Sequence, residues 1–270
     1  MNKQRVIVLN DSSEVTEAVK NCILNNDLDI LQVNYNCDSD SPSPFSEMSD
    51  LTEIKFEIQL GDNVNALFEF FYNCKALETV PLFNTQNVTN MGFMFGHCEA
   101  LKSVPLLDTR NVTDMGCMFM YCKAIESVPL LDTKKVTNMG DMFAHCETIK
   151  SVPLLNTEKV TNMGDMFWGC HSLKTTPLLN TENVTDMSYM FVFCLALKSV
   201  PLFNTKNVAN MSYMFAHCKT LETVPLLDTK SVTDMSCMFM GCHRLQAIPF
   251  FDTKNVKDMV SMFRNCSVGI

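Results

Sequence analysis

Thirteen cysteines and five histidines are the residues of this 270-residue chain with the most chemistry to offer. Nine of the thiols recur at steps of 24 residues, at Cys74, Cys98, Cys122, Cys146, Cys170, Cys194, Cys218, Cys242 and Cys266. A thiolate beside an imidazole is a nucleophile, close thiol pairs bind zinc, and matched thiols cross-link. None of the three fits this spacing. His97-Cys98 and His217-Cys218 are neighbours in sequence, which is not the hydrogen-bond geometry that a nucleophile and its base require. His97 and His145 stand two coils apart, too far to share an ion with ligand bonds of about 2 Å. A disulfide framework would leave one of thirteen cysteines over. The expectation is a column of free, buried thiols acting as small hydrophobes, in a reducing compartment or well shielded. No catalytic residue, metal ligand or cofactor site is assigned.

The same 24-residue step governs prolines from Pro81 to Pro249 and a Met-x-x-Met-Phe set running from Met91-Met94-Phe95 to Met259-Met262-Phe263. Repeats of this length mean a solenoid, because one repeat cannot bury its apolar face without a neighbour. The elements that position every side chain are therefore coils. A solenoid offers an extended, rigid surface, and that suits binding.

Net charge is -9 with a pI near 5.0, and lysines share their slots with glutamates (Lys134 and Glu158, Lys102 and Glu126). No basic stripe is left for phosphates, so nucleic acid is not an expected partner. No apolar run approaches the roughly 18 residues that cross a bilayer, so membrane insertion is not expected. The opening Met1-Asn-Lys-Gln-Arg-Val-Ile-Val-Leu-Asn10 has only four consecutive apolar residues, short of a secretion leader.

Within one coil, Leu101 and Val104 suggest a short strand, and Pro105 marks its end because a central strand cannot spare an N–H. Asp108-Thr109 reads as a turn and Asn111-Val112-Thr113 as a second extended piece. Met115, Met118, Phe119 and Cys122 lie at i, i+3, i+4 and i+7, which predicts a two-turn helix. The slot before its first methionine alternates Asn and Asp (Asn90, Asp114, Asn138, Asn162, Asp186). That fits a helix N-cap and not a calcium ladder, which would keep its carboxylates.

Ahead of the array, 6–10 reads as a strand, Ser12 to about Asn25 as a helix capped by Ser12 or Ser13, Asp29–Asn36 as a strand, 37–44 as a linker and Ile54–Leu60 as a half-buried strand. Val64, Leu67, Phe70, Phe71 and Cys74 keep the step one coil early, so 61–74 is a degenerate first coil. The organisation expected is a small α/β capping region over 1–60 and a solenoid of nine coils over 61–270, ending at Cys266-Ser-Val-Gly-Ile270 without a cap.

The consensus L-x-x-V-P-L-L-[DN]-T-x-x-V-T-[DN]-M-x-x-M-F-x-x-C, recurring over about 77–266, resembles the repeat of BspA-like leucine-rich repeat surface proteins. The resemblance implies a right-handed α/β solenoid with short strands and a short helix per coil, no enzyme activity, and a part in adhesion or protein binding. It implies a cell-surface location, although a leader and a C-terminal anchor, usual in secreted members, are not visible here. The alternative is a structural component of a virion or other assembly, docked through the N-terminal region or the C-terminal coil, through which homo- or hetero-oligomers would form.

Three slots between the core residues vary freely from coil to coil. The first holds Phe93, Cys117, Asp141, Asp165, Tyr189, Tyr213, Cys237 and Ser261; the second Gly96, Met120, Ala144, Trp168, Val192, Ala216, Met240 and Arg264; the third His97, Tyr121, His145, Gly169, Phe193, His217, Gly241 and Asn265. Large aromatics on an outward face are of the types enriched at binding hot spots. Phe93, Met120, Tyr121, Trp168, Tyr189, Phe193 and Tyr213 are thus the candidate contacts for a protein partner, with Trp168, Tyr189 and Phe193 as one central patch. The competing face is a mixed-charge row: Glu78, Lys102, Glu126, Lys150, Lys174 and Lys198. The sequons at Asn87, Asn111 and Asn183 arise from the repeat consensus itself.

Overall fold

In the computed structural model, which describes residues 4–267, three short parallel strands open the chain: β1 (Val6–Leu9), β2 (Ile30–Val33) and β3 (Glu57–Leu60), ordered β1-β2-β3. Val6 pairs with Ile30 and Val33 with Leu60. Helix α1 (Glu17–Leu24) crosses from β1 to β2 and buries Ile23. The helix expected to start at Ser12 is split. Asp11 caps a 3-10 turn over Ser12–Glu14, and Thr16 then caps α1 by accepting from the Val19 N–H. Residues 268–270, part of the expected cap-free end, lie outside the described residues, as do residues 1–3.

The N-terminal region joins the array directly. Cys37 bridges to Leu67 and Ala66 to Asn90, and from there one parallel bridge per coil runs to Asp234↔Asp258. The Phe45 ring lies 4.8 Å from Phe71, the first rung of a phenylalanine ladder. Up this ladder, from Phe71 to Phe263, successive rings stack at 5.5–5.7 Å with interplanar angles of 9° or less. The core is one continuous column from Leu9 to Met262. The molecule is a repeat solenoid.

The helix expected in each coil is absent from the described residues, and two consecutive turns stand in its place. Met94 N–H donates to Met91 O and Cys98 N–H to Phe95 O, each closing a four-residue turn. Phe93 and His97, third in their turns, have φ of 53° and 60°, the left-handed region that a turn requires at this place. Intervening amides leave the coil altogether: Met91, Phe93, Phe95 and His97 donate to Asp114, Gly116, Met118 and Met120 of the next coil at 2.7–3.0 Å. An α-helix would need those same N–H groups for its own carbonyls four residues back. The periodicity misled because i, i+3, i+4 and i+7 are also the inward corners of two successive four-residue turns.

The Asn/Asp column therefore caps turns, not helices. Asn90 Oδ1 accepts from Gly92 N–H at 2.8 Å and Asp114 Oδ1 from Gly116 N–H at 2.9 Å. Because only an oxygen acceptor is needed, Asn and Asp serve equally. Asn adds a link between coils, as where Asn138 Nδ2 donates to Asp114 Oδ1 at 3.0 Å. The expected strand at Leu101–Val104 reduces to isolated contacts such as Lys102 N–H to Glu78 O. Buried threonines tie the far side together, Thr85 Oγ1 donating to Asp108 O and Thr157 Oγ1 to Asn180 O, both at 2.9 Å.

Candidate protein-binding face

The turn ladder decides where the variable side chains go. With Met91, Met94, Phe95 and Cys98 buried at the turn corners, the residues at left-handed φ are turned outward and meet the same slot of the next coil. The third slot makes a continuous stack: His97 on Tyr121 at 4.5 Å and Tyr121 on His145 at 4.3 Å, with planes within 16°. Tyr72 closes its lower end edge-on to His97 at 5.5 Å.

Gly169 interrupts the column. Its φ is +71°, and a Cβ there would come within 2.7 Å of His145 Nδ1. Trp168 from the second slot takes that space, its ring 4.6 Å from His145 at a tilt of 58°. Its indole Nε1 and the His145 Nε2 are both shielded from solvent without a hydrogen-bond partner among the described residues. Burial pulls His97, His145 and His217 below the ordinary imidazole range, so these rings stack as neutral groups.

Further along, the stacks are pairs. Tyr189 lies on Tyr213 and Phe193 on His217, each at 4.7 Å. Tyr189 is 37% exposed and Phe193 39%. Trp168 stacks on His145 and not on Tyr189 or Phe193, so the aromatics expected as one patch form two groups on successive coils. Met120 and Phe93 are half-buried on the same side, Phe93 lying edge-on to Phe68 at 5.7 Å.

Between the groups sit Asp141 and Asp165, both half-buried at left-handed φ. Burial raises Asp141, and raises Asp165 to about 7, with the neighbouring Asp141 and Asp186 adding to the effect. The nearby Cys117 thiol is pushed up to about 12 by burial first and then by Asp141. An Asp165 carboxyl that keeps part of its proton near neutrality lowers the negative charge at this place on the face.

The charged row forms ladder pairs between coils, Lys102 Nζ to Glu78 at 2.6 Å and Lys150 Nζ to Glu126 at 3.0 Å. The sequon asparagines are taken up in the same way, Asn111 Nδ2 donating to Gln86 O and Asn183 Nδ2 to Glu158 O. All thirteen cysteines are free. Among the described residues no three His, Cys, Asp or Glu side chains stand close enough to hold a metal ion, and no helix is long and apolar enough to cross a membrane.

One surface feature escaped the sequence reading. Of the two large apolar residues after each ladder proline, the second is buried and the first points to solvent, as with Leu107 and Leu106. The signal was present in the alternation of an extended segment, where neighbouring side chains take opposite faces.

Among curated proteins none matches the chain. Among solved structures, a leucine-rich repeat protein from Eubacterium ventriosum aligns at 13% identity, covering 97% of this chain and 89% of that one, with a TM-score of 0.46. The family model described as "Mycoplasma protein of unknown function, DUF285" matches residues 45–154, 146–224 and 196–268. Together those matches take in the last rungs of the N-terminal region and every coil of the ladder, and the chain belongs to that family.

Proposed function

We propose that the protein is a non-enzymatic recognition module that holds a protein partner against the aromatic turn face. The observation that carries this reading is the outward stacking of large aromatic side chains at left-handed turn positions. Folding alone asks for small or polar residues there, since glycine and asparagine suit left-handed φ best. Tyr, Phe, His and Asp at φ of 53–61° each cost of order 1 kcal/mol. The resemblance of the repeat to BspA-like leucine-rich repeats supports a part in adhesion.

The test is selection of peptides from a displayed random library on the immobilised protein. Selected peptides should lose binding to the Trp168→Ser/Tyr189→Ser/Phe193→Ser variant by more than about 2 kcal/mol while its far-UV circular dichroism is unchanged. Binding that survives this variant and is lost on Lys150→Glu/Lys174→Glu/Lys198→Glu would assign recognition to the charged row.

A further inference from the structure

Seven leucines at 24-residue steps from Leu82 to Leu226 are 62–67% exposed, and Phe250 continues their row at 87%. A single exposed leucine needs no explanation, but a contiguous row does. Eight such side chains present on the order of 800 Å², about what one partner contributes to an interface of ordinary size.

The fold does not need this row. Inward packing in the segment comes from the next leucine and the threonine two residues on, Leu107 and Thr109, both buried. Among the described residues Leu106 and Leu107 donate no backbone hydrogen bond, and the coils are joined elsewhere, by the turn ladder and the threonine hydroxyls. Shallow grooves run between successive rungs, one lined by Leu106, Leu130, Asp108 and Asp132, another by Leu226, Phe250, Asp228 and Asp252. A polar residue in the leucine slot would leave the core intact, yet none of the coils from Leu82 to Phe250 has one.

A row of near-identical side chains at one rung spacing is matched over its full length by a surface with the same spacing. A second copy of the chain has that spacing by construction, as in the dry interdigitation of paired identical sheets. The flanking charges choose the direction. Turned end for end about the midpoint between Leu154 and Leu178, one copy sets Lys102 against the other's Glu222 and Glu126 against its Lys198. On the opposite flank the same turn sets Arg110 against Lys230 and Lys134 against Lys206. The central rungs place like charges together too, Lys150 with Lys174 and Glu158 with Glu182. Packed in parallel about a two-fold along the row, the copies instead bring Glu126 to Lys134, Lys150 to Glu158, Lys174 to Glu182 and Glu222 to Lys230. Against these stand two like pairs, Lys102 with Arg110 and Lys198 with Lys206.

We propose that the leucine row is a self-association surface on which a second copy packs in parallel, ridge against ridge, as a two-fold dimer. The interface is isologous, and it leaves the aromatic turn face of both copies free.

Sedimentation equilibrium of the 270-residue chain in the micromolar range tests this. The wild type should sediment as a dimer. Leu130→Ser/Leu154→Ser/Leu178→Ser should sediment as a folded monomer, its dissociation constant raised at least about 100-fold. Glu222→Lys and Lys230→Glu should each weaken the dimer, and the two together should restore it. A monomeric wild type, or a dimer indifferent to the leucine substitutions, overturns the proposal. So does a double charge reversal that fails to restore association, since the parallel arrangement requires it. A monomeric wild type that binds phosphatidylserine–phosphatidylcholine vesicles only with its leucines intact would make the row a lipid-facing surface, and the proposal would fail.

Discussion

The Cys146 thiol donates to the carbonyl oxygen of Phe119, one coil earlier, at 3.1 Å, and the same oxygen accepts the Cys122 N–H at 3.0 Å. The bond recurs from Cys98 to Cys242 at 2.9–3.2 Å. Cysteine suits the slot because it is apolar enough to bury and still carries a weak donor. The carbonyl gains a second partner where alanine or valine would leave one lone pair unused.

Thiol reactivity should follow this burial. Burial raises the pKa of the column cysteines well above the ordinary thiol value, which suppresses the reactive thiolate. In the folded protein at pH 8, the half-exposed Cys22 and Cys266 should react with an aromatic disulfide reagent, with Cys117 slower. The ten buried thiols should react only on unfolding, bringing the total to thirteen. Four or more disulfides recovered without reductant would contradict the free-thiol column.

Phe167 stacks between Phe143 at 5.7 Å and Phe191 at 5.6 Å. Phe167→Ala should cost about 3–5 kcal/mol. In a linear array only neighbouring coils share the loss, so hydrogen exchange should accelerate around residues 143–191 and little beyond. Uniform acceleration along the chain would mean a single cooperative unit.

Ser261→Gly separates turn from helix by sign. Ser261 has φ of 57°, which glycine adopts without strain, so the variant should be more stable by about 0.5–1 kcal/mol in urea titration. In the interior of a helix the same change would cost a similar amount. A loss of stability would argue for the helix that the apolar spacing suggests.

Asp165 gives the stack a pH dependence. Its folded pKa, about 7, lies above the ordinary carboxylate value, so the fold favours the protonated form. That contribution is complete below about pH 4 and is lost as pH rises through 7. Asp165→Asn should therefore stabilise the protein at pH 7.5, by about 1–2 kcal/mol after allowing for solvent screening of a half-exposed group. The difference should vanish near pH 4. Equal stabilities at both pH values would place the carboxyl in water.

The coil length, the buried thiols, the acceptor columns and the N-terminal strands could all be read from the residues. Repetition amplifies weak signals, and each inward slot is filled by one residue type. The turns could not be read. Gly169, Gly241 and Asn265 hint at left-handed φ, while Tyr121, His145 and Phe193 occupy the same slot and argue against it. Their strain is carried by hydrogen bonds to the next coil, partners that no local window contains. Of the three slots expected to face outward, the second is buried at Ala144, Val192 and Ala216, and the division of the aromatics into two groups depends on Gly169 admitting Trp168, a cross-coil event. The leucine row was hidden by treating Leu106 and Leu107 alike.

The recognition face can be observed directly, because Trp168 is the chain's only tryptophan and lies within it. Titrating a library-selected peptide while recording tryptophan emission should shift or quench the signal with the same midpoint as binding measured by calorimetry. Saturable binding with Trp168 emission unchanged, and with affinity lost only on Lys150→Glu/Lys174→Glu/Lys198→Glu, would contradict recognition through the aromatic turns.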